Sequence, residues 1–335
     1  MLAHKVDTSV RAIQYHEFGG PEVLQLERID ELEPASDEVL IETRAIGVNP
    51  CDSLRRQGLW KDDLPLIPGS DVAGVVTVTG DRVQRFDVDD RVYGTIPHLN
   101  VSGTRGDRQG VYAESVVARE DRLAVLPEGV SFEVGAGLGL VGITAWRALM
   151  HFGDLEPGQT CLVHGGSGGV GHVAVQLAST LGATVIATAS ADRRDIVREL
   201  GADVVLDYAT PDLEAAIDDA APDGVDVVLD HRLGEYMQLD VNVANYGGTV
   251  VAIGGNYDSP TIEDLTEAIG KDLTIQPMDM FNEPDIAGVL ERLSHLLRKG
   301  RLTVEIADTY RLKEAAEAQR AVDEESFTGK LVLRP

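Results

Sequence analysis

The run His164-Gly165-Gly166-Ser167-Gly168-Gly169-Val170-Gly171 is the part of this chain whose residue types and spacing most clearly suit a chemical task. From Gly166 to Gly171 it has the form G-x-G-x-x-G. Alone, that spacing is weak. Here the apolar stretch Thr160–His164 reads as a buried strand before it, and Val170–Leu181 carries apolar residues at helical spacing after it. That is the context in which the motif holds a dinucleotide. The first glycine permits a tight turn. The second, Gly168, lets backbone N–H groups approach a pyrophosphate, and the third lets the helix pack close to the sheet. The phosphates then lie at a helix N-terminus. The competing reading is an ordinary glycine-rich strand-to-helix turn.

The sequel bears on which dinucleotide. A site for NAD places Asp or Glu at the end of the second strand, roughly 20 residues on, to bind the ribose 2′-hydroxyl. This chain has Thr188-Ala189-Ser190 there, followed by Asp192-Arg193-Arg194. Cations near a helix N-terminus oppose its dipole, so the two arginines suit a 2′-phosphate better than a solvated first turn. Asp192 can neutralise one of them. The pattern favours NADPH.

The elements that must position this loop are legible in outline. Up to residue 128 the chain is rich in β-branched residues and turns, with expected strands Val39–Thr43, Ala73–Val78, Arg91–Tyr93 and Tyr112–Val117. Ser131 is a plausible N-cap for a helix running through Trp146 to Phe152. Alternation of strand and helix follows. Strands are expected at Thr184–Thr188, Val204–Leu206, Val225–Asp230, Thr249–Ile253 and Leu273–Met278, with a helix at Arg193–Leu200 closed by Gly201. Alternation of this kind implies a parallel, doubly wound sheet. The tail has helical stretches at Asp285–Lys299 and Leu312–Val322 and a last strand at Lys330–Leu333. These are too few for a third domain and are expected to return to the first. The division is 1–128 plus 282–335 for a β-rich domain and 129–281 for a cofactor domain.

Composition narrows the function classes. The 335 residues carry 56 acidic and 29 basic side chains, a net charge of −27, so nucleic acid and anionic membranes are disfavoured partners. Only six of the cations are lysines. The acids are dispersed rather than gathered in a tail, which favours adaptation to high salt over an acidic docking surface. Met1–Gly20 has no apolar secretion signal, and Gly135–Met150 is short, glycine-rich and interrupted by Arg147, so it is no membrane span. A cytoplasmic location is expected. Cys161 falls in a buried strand and Cys51 in a loop, so two free thiols are expected.

Several further motifs join the glycine loop: Val48-Asn49-Pro50-Cys51-Asp52, Pro68-Gly69-Ser70-Asp71-Val72-Ala73-Gly74, Asp89-Asp90-Arg91-Val92, Gly142-Ile143-Thr144-Ala145 and the ending Gly329-Lys330-Leu331-Val332-Leu333. With these, the chain resembles the quinone oxidoreductase branch of the medium-chain dehydrogenase/reductase superfamily over nearly its whole length. The resemblance implies a Rossmann domain inserted into a GroES-like β-rich catalytic domain, and a homodimer formed through the sheet edge at Leu273–Met278. It implies that Asn49, Asp52 and Thr144 lie near the nicotinamide and that Gly166, Ser167, Gly169 and Val170 hold the pyrophosphate. Ser190, Arg194 and Tyr208 would surround the 2′-phosphate, and Gly254, Asn256 and Lys330 would line the cofactor cleft.

The superfamily's zinc enzymes use Cys, His or Glu, and Cys as metal ligands. This chain has Asn49 at the first position and Ser70 beside Asp71 at the second, and no Cys around Leu140–Gly142 at the third. A zinc site needs three or four converging ligands, so none is expected. Without a Lewis acid, oxidising an unactivated alcohol is difficult. Reduction of a quinone or an α,β-unsaturated carbonyl fits better, with the cofactor supplying the hydride and the protein supplying orientation. Asp52 is expected to brace the Asn49 loop rather than act as a base. Cys51 has no neighbouring His in sequence to activate it. Leu54, Trp60, Tyr93 and Phe281 are candidate walls of the substrate pocket, and the loop Pro97–Gly110 a candidate flank. The alternatives are an enoyl reductase of acyl or haloacrylate-type substrates, and a non-catalytic NADPH-binding protein, crystallin-like or RNA-binding.

Overall fold

A computed structural model describes residues 9–30, 32–60, 63–96, 110–254 and 259–335. In chain order, β1 (Ser9–Gln14) and β2 (Gln25–Asp30) form a small antiparallel pair, and the long β3 (Glu38–Val48) leads into α1 (Pro50–Arg56). Then come β4 (Asp71–Thr79), β5 (Arg91–Thr95), β6 (Ser115–Arg119), β7 (Leu123–Val125) and α2 (Phe132–Trp146). The alternating part holds β8 (Thr160–Val163), α3 (Gly171–Leu181), β9 (Thr184–Ala189), α4 (Arg194–Glu199) and β10 (Val204–Asp207). It continues with α5 (Leu213–Ala220), β11 (Val225–Asp230), α6 (Leu233–Val243), β12 (Ala244–Ile253), α7 (Leu265–Gly270) and β13 (Thr274–Met278). The tail adds α8 (Ile286–Arg298), β14 (Ile306–Arg311), α9 (Ala315–Glu324) and β15 (Lys330–Arg334).

The six strands β8 to β13 pair in parallel in the order β10-β9-β8-β11-β12-β13. Counted within that sheet the order is 3-2-1-4-5-6, and the winding reverses between β8 and β11. In such sheets that switch point is where a dinucleotide lies. The glycine run leaves the end of β8, so the topology puts it at the crevice. The second sheet runs β14-β15-β3-β4-β5-β7, with β6 paired to β3. Its centre is antiparallel, but β14 and β15 are parallel. The C-terminal strand therefore returns to lie against β3, next to the start of α1.

Helix α2 fastens the two sheets. Ser131 caps it, accepting from Val134 N at 3.3 Å. The helix packs on β3, β4 and β5 on one side and on α3 on the other. Such close approach needs small residues. A Cβ on Gly47 of β3 would stand 2.3 Å from the Ala136 carbonyl oxygen, and one on Gly139 of α2 would stand 2.6 Å from Asp71 Oδ1. The largest core cluster accordingly runs from Ala45, Ala73 and Tyr93 through Leu138 and Ile143 to Val163 and Val175. A second core fills the β-rich side and takes Leu312, Ala315 and Ala318 from the tail.

Two expectations need correcting. Cys51 is not in a loop: it lies in the first turn of α1, a seven-residue helix too short to show an apolar period but opened by Asn49 at the N-cap and Pro50 at the first position. The helix after Ser131 is not uniform, because residues Arg147–Phe152 form a π-helical turn.

Gly→Ala in an open helix interior stabilises by about 1 kcal/mol. At Gly139 the added methyl has no room beside Asp71 and the Gly94 carbonyl. The expected effect of Gly139→Ala is a loss of about 1–3 kcal/mol, read as a lower urea midpoint. A raised midpoint would contradict the close packing.

Candidate active site

The glycine loop is built by a few close fits. Gly165 has φ +67°, and a Cβ there would stand 2.6 Å from the His231 ring. Gly166 N donates to the Thr188 carbonyl at 2.7 Å, and Gly165 N to Thr188 Oγ1 at 3.0 Å. A Cβ on Gly171 would stand 2.0 Å from the Gly165 carbonyl oxygen, so the helix start needs glycine for its own loop to pass. By contrast Gly168 and Gly169 meet nothing nearer than 3.3 Å. A side chain at either position would crowd the Gly165 carbonyl or the Lys330 stem, so the backbone of the loop stays bare, which is what close approach of a pyrophosphate at the N-terminus of α3 requires. The chain at Gly329 is tied to this loop, since Gly329 N donates to the Ser167 carbonyl at 2.9 Å.

That tie delivers Lys330 to the site. Its side chain is buried, with its stem 3.3 Å from where a Cβ on Gly169 would stand. Its Nζ donates to the Val48 carbonyl at 2.8 Å and, in a short contact, to Asn49 Oδ1. Asn49 Nδ2 in turn donates to Asp71 Oδ2 at 2.9 Å. An ammonium only donates and a carboxylate only accepts, so this pair fixes which way the Asn49 amide faces. Asp71 is completed by Leu140 N, which donates to Oδ1 at 2.8 Å. The result is an ion pair bridged by a carboxamide, linking β15, the start of α1, β4 and α2. Burial pushes the Lys330 ammonium down, with Asp71 and Asp52 opposing, and pushes the Asp71 carboxyl up, with Lys330 opposing.

Asp52 sits one turn into α1, where its Oδ2 accepts from Asn49 N at 3.0 Å and from the Tyr112 hydroxyl at 3.0 Å. It is 2 % exposed, and burial raises its carboxyl to about 7 against the pull of the Asn49 N–H. The geometry is that of a brace: it closes the first turn of the helix that carries Asn49. Thr144, on α2, is also buried, and its hydroxyl donates to the Leu140 carbonyl at 2.7 Å.

At the far end of the crevice, β9 ends in Ala189-Ser190 with no acid. Ser190 is half-buried. Arg193 is already partnered: Nη2 donates to the Ser326 carbonyl at 2.7 Å, and Nη1 donates to Ser326 Oγ and reaches Ser190 Oγ at 3.5 Å. Arg194 is half-buried, and its Nε is buried without a hydrogen-bond partner. Tyr208 is 49 % exposed. Gly254 follows β12 in the left-handed region at φ +36°. Asn256 and most of the loop Pro97–Gly110 lie outside the described residues.

Sequence reasoning misses Asp71 as a functional residue, because it weighs that carboxylate only as a metal ligand. A signal exists in Lys330, a lysine opening an apolar strand near the end of the chain, which needs a counter-charge. Tyr93 needs correcting as a pocket wall: it is fully buried, and its hydroxyl donates to the Leu290 carbonyl at 2.7 Å. Trp60 is 39 % exposed, while Leu54 and Phe281 are half-buried. Cys51 and Cys161 are free thiols. Among the described residues no three His, Cys, Asp or Glu side chains converge as metal ligands, and no helix is long and apolar enough to cross a membrane.

A family model described as "Alcohol dehydrogenase GroES-like domain" matches residues 35–128, and one described as "Zinc-binding dehydrogenase" matches 169–295. The chain is 35% identical to quinone oxidoreductase of Mus musculus, with 97% of each chain covered. It is 32% identical to the chloroplastic NADPH-dependent alkenal/one oxidoreductase of Arabidopsis thaliana, over 98% of this chain and 81% of that one. Among solved structures, an NAD-dependent alcohol dehydrogenase matches with TM-score 0.88 and 29% identity over 97% of this chain and 99% of that one. Quinone oxidoreductase of Escherichia coli complexed with NADPH matches with TM-score 0.86 and 28% identity over 97% and 100%.

Lys330→Met keeps the stem and deletes the ammonium. Asp71 is then a buried carboxylate without a counter-charge, and breaking such a pair costs about 3–5 kcal/mol. A loss of that size in the free energy of urea unfolding is expected. A loss below about 1 kcal/mol would mean that the bridge carries no more than a surface pair does.

Proposed function

This chain belongs to the medium-chain dehydrogenase/reductase family, and we propose that it is an NADPH-dependent reductase of quinones or α,β-unsaturated carbonyls that works without a metal. The observation that carries the reading is Lys330, whose stem lies against the glycine loop while its ammonium holds Asn49. Cofactor loop and reaction site are thereby one unit. The Asn49 carboxamide occupies the first ligand position of the zinc-using relatives. Its Oδ1 is spent on an ammonium and its Nδ2 on Asp71, which supports the metal-independent reading.

In this reading Gly166, Ser167, Gly168, Gly169 and Val170 bind the pyrophosphate, and Lys330, Gly254 and Asn256 line the cleft. Bound NADPH supplies the hydride. Asn49 keeps one Nδ2–H free, and the Thr144 hydroxyl keeps its acceptor lone pairs. These groups orient the nicotinamide carboxamide and the acceptor oxygen. Asp52 holds the Asn49 turn in place. Asn49 and Thr144 are 1% and 5% exposed, so the groups around the reacting atoms hold little water. An acceptor already electron-poor needs no Lewis acid, and the mouse and Arabidopsis relatives act, by their names, on such compounds.

The 2′-phosphate is assigned to Ser190, Arg194 and Tyr208, because Arg194 has an unpartnered Nε whereas Arg193 is held by Ser326. The protein is further proposed to be a cytoplasmic homodimer joined through β13, one of the two outer strands of the parallel sheet, with a surface adapted to high salt.

Oxidation of NADPH and NADH is to be followed against a quinone panel and an enone panel in about 2 M KCl, chosen to screen the net charge of −27. NADPH turnover without added metal is the expected result. Tight NADPH binding with turnover on neither panel would overturn the reductase assignment. Arg194→Leu is expected to weaken NADPH about tenfold or more, the worth of a charge-assisted hydrogen bond, and to leave NADH unchanged. Equal loss for both cofactors would move the 2′-phosphate elsewhere.

A further inference from the structure

Beneath the glycine loop lies a second set of buried polar groups that the reaction scheme does not use. Thr188, at the end of β9, accepts from Gly165 N at 3.0 Å through its hydroxyl oxygen. The same hydroxyl lies 3.4 Å from His164 Nδ1. His164 Nε2 lies 2.9 Å from Asp240 Oδ1, and both side chains are fully buried. Asp240, on α6, and Asp230, at the end of β11, act on each other as hydrogen-bond partners and as like charges. Asp230 Oδ1 accepts from Arg232 N at 2.6 Å. The chain of contacts thus runs from the cofactor loop across the switch point of the sheet to α6.

Donor and acceptor logic gives this chain one direction. The Thr188 hydroxyl already accepts from Gly165, so its proton goes to His164 Nδ1. The ring proton then sits on Nε2 and is donated to Asp240. That assignment needs a neutral imidazole, and burial does hold His164 down to about 4. At the far end the count fails. Asp230 Oδ2 and Asp240 Oδ2 are both buried without a donor. Among the described residues no cation answers them: the Arg232 guanidinium is paired with Glu235 at 2.6 Å, and burial keeps His231 neutral, down to about 4. The other ionisable neighbours are Tyr236, stacked on His164 at 4.4 Å, and Tyr208. Two facing carboxyls with orphaned oxygens are satisfied by one proton held between them.

We propose that Thr188, His164, Asp240 and Asp230 are positioning residues that lock the Gly165 turn through one proton shared by the two carboxyls, so that cofactor affinity depends on that proton. The inference rests on the reading of Gly166–Gly171 as the cofactor loop. Loss of the proton leaves two adjacent buried carboxylates. Their repulsion is relieved only if α6 or the end of β11 moves, which draws His164 from Thr188 and frees the Gly165 N–H. Burial and the neighbouring Asp240 raise Asp230 to about 7, and burial also pushes Asp240 well above the usual carboxylate range. A carboxyl raised on folding contributes stability that is complete below its unfolded value and lost as pH rises through the folded one. The lock is therefore closed on the acid side and weakens as pH passes about 7.

The test compares wild type, Asp240→Asn and Thr188→Val in two measurements. The first is the Kd of NADPH and of NADH from about pH 6 to about pH 8.5, a range that brackets the shared proton. The second is amide-exchange protection of the peptide containing Gly165–Gly168 in the cofactor-free protein over the same range. In Asp240→Asn the new amide accepts from His164 and donates to Asp230, so it mimics the singly protonated pair at every pH. Wild type is expected to lose about tenfold in affinity and in protection across the range, as a single proton-linked step gives over about one pH unit. Asp240→Asn is expected to give a flat profile. Thr188→Val breaks the link and is expected to show weak binding and low protection with no pH slope. An Asp240→Asn profile parallel to wild type overturns the proposal, as does a Thr188→Val protein with wild-type protection. Should a variant fail to fold, Asp230→Asn provides the same comparison from the other carboxyl. Failure of wild type to bind either nucleotide would count against the cofactor reading alone, and the exchange measurement would still decide the lock.

Discussion

A buried ammonium must find acceptors, and the rest of this structure is arranged around that demand of Lys330. Its charge is shared with Asp71 through the Asn49 carboxamide. A direct contact would leave the asparagine free to turn. The bridge instead uses both ends of the amide and fixes its orientation. Each member comes from a different part of the chain: the last strand, the turn into α1 and the start of β4. Burial penalises the charged form of both ions, so neither is stable there without the other. The strand β15 can reach β3 only if the tail returns across the crevice, and that return also lays Gly329 on Ser167.

Close approach is the second constraint, and it explains the glycines that matter. Gly139 gives Asp71 its room against α2, and Gly47 admits α2 to the sheet. In the glycine loop the requirement differs from one position to the next. Gly165 and Gly171 admit no side chain at all, whereas Gly168 and Gly169 would meet their neighbours at 3.3 Å. Substitutions along this one motif should therefore not be read as equivalent.

The parallel sheet is legible in the sequence because β8, β9, β11 and β12 are short apolar runs separated by helical spacing, and buried parallel strands look like that. The doubly wound fold follows from that alternation, and the GroES-like partner from the family resemblance that the chain-wide motifs carry. Some of the other short elements are not legible. Helix α1 and strands β2, β7 and β14 have only three to seven residues each. They owe their form to neighbours more than to their own pattern. At the site, Asn49, Asp52 and Lys330 can be named from the motifs that carry them, but the Asp71 bridge cannot. Residues separated by as many as 282 positions meet there, and no local periodicity encodes such a contact. The His164 network is hidden for the same reason: His164 and Asp240 look like an ordinary strand end and an ordinary helix position until the fold brings them within 2.9 Å.

The most direct test of the bridge is a double-mutant cycle of Lys330→Met and Asp71→Asn, read by urea unfolding in about 2 M KCl. If the carboxamide-bridged pair is the constraint described, removing both charges costs less than the two single losses added together. The expected coupling is above about 1 kcal/mol. Losses that add within about 0.5 kcal/mol would show that the two charges do not act on one another, and the bridge would then be a contact without consequence.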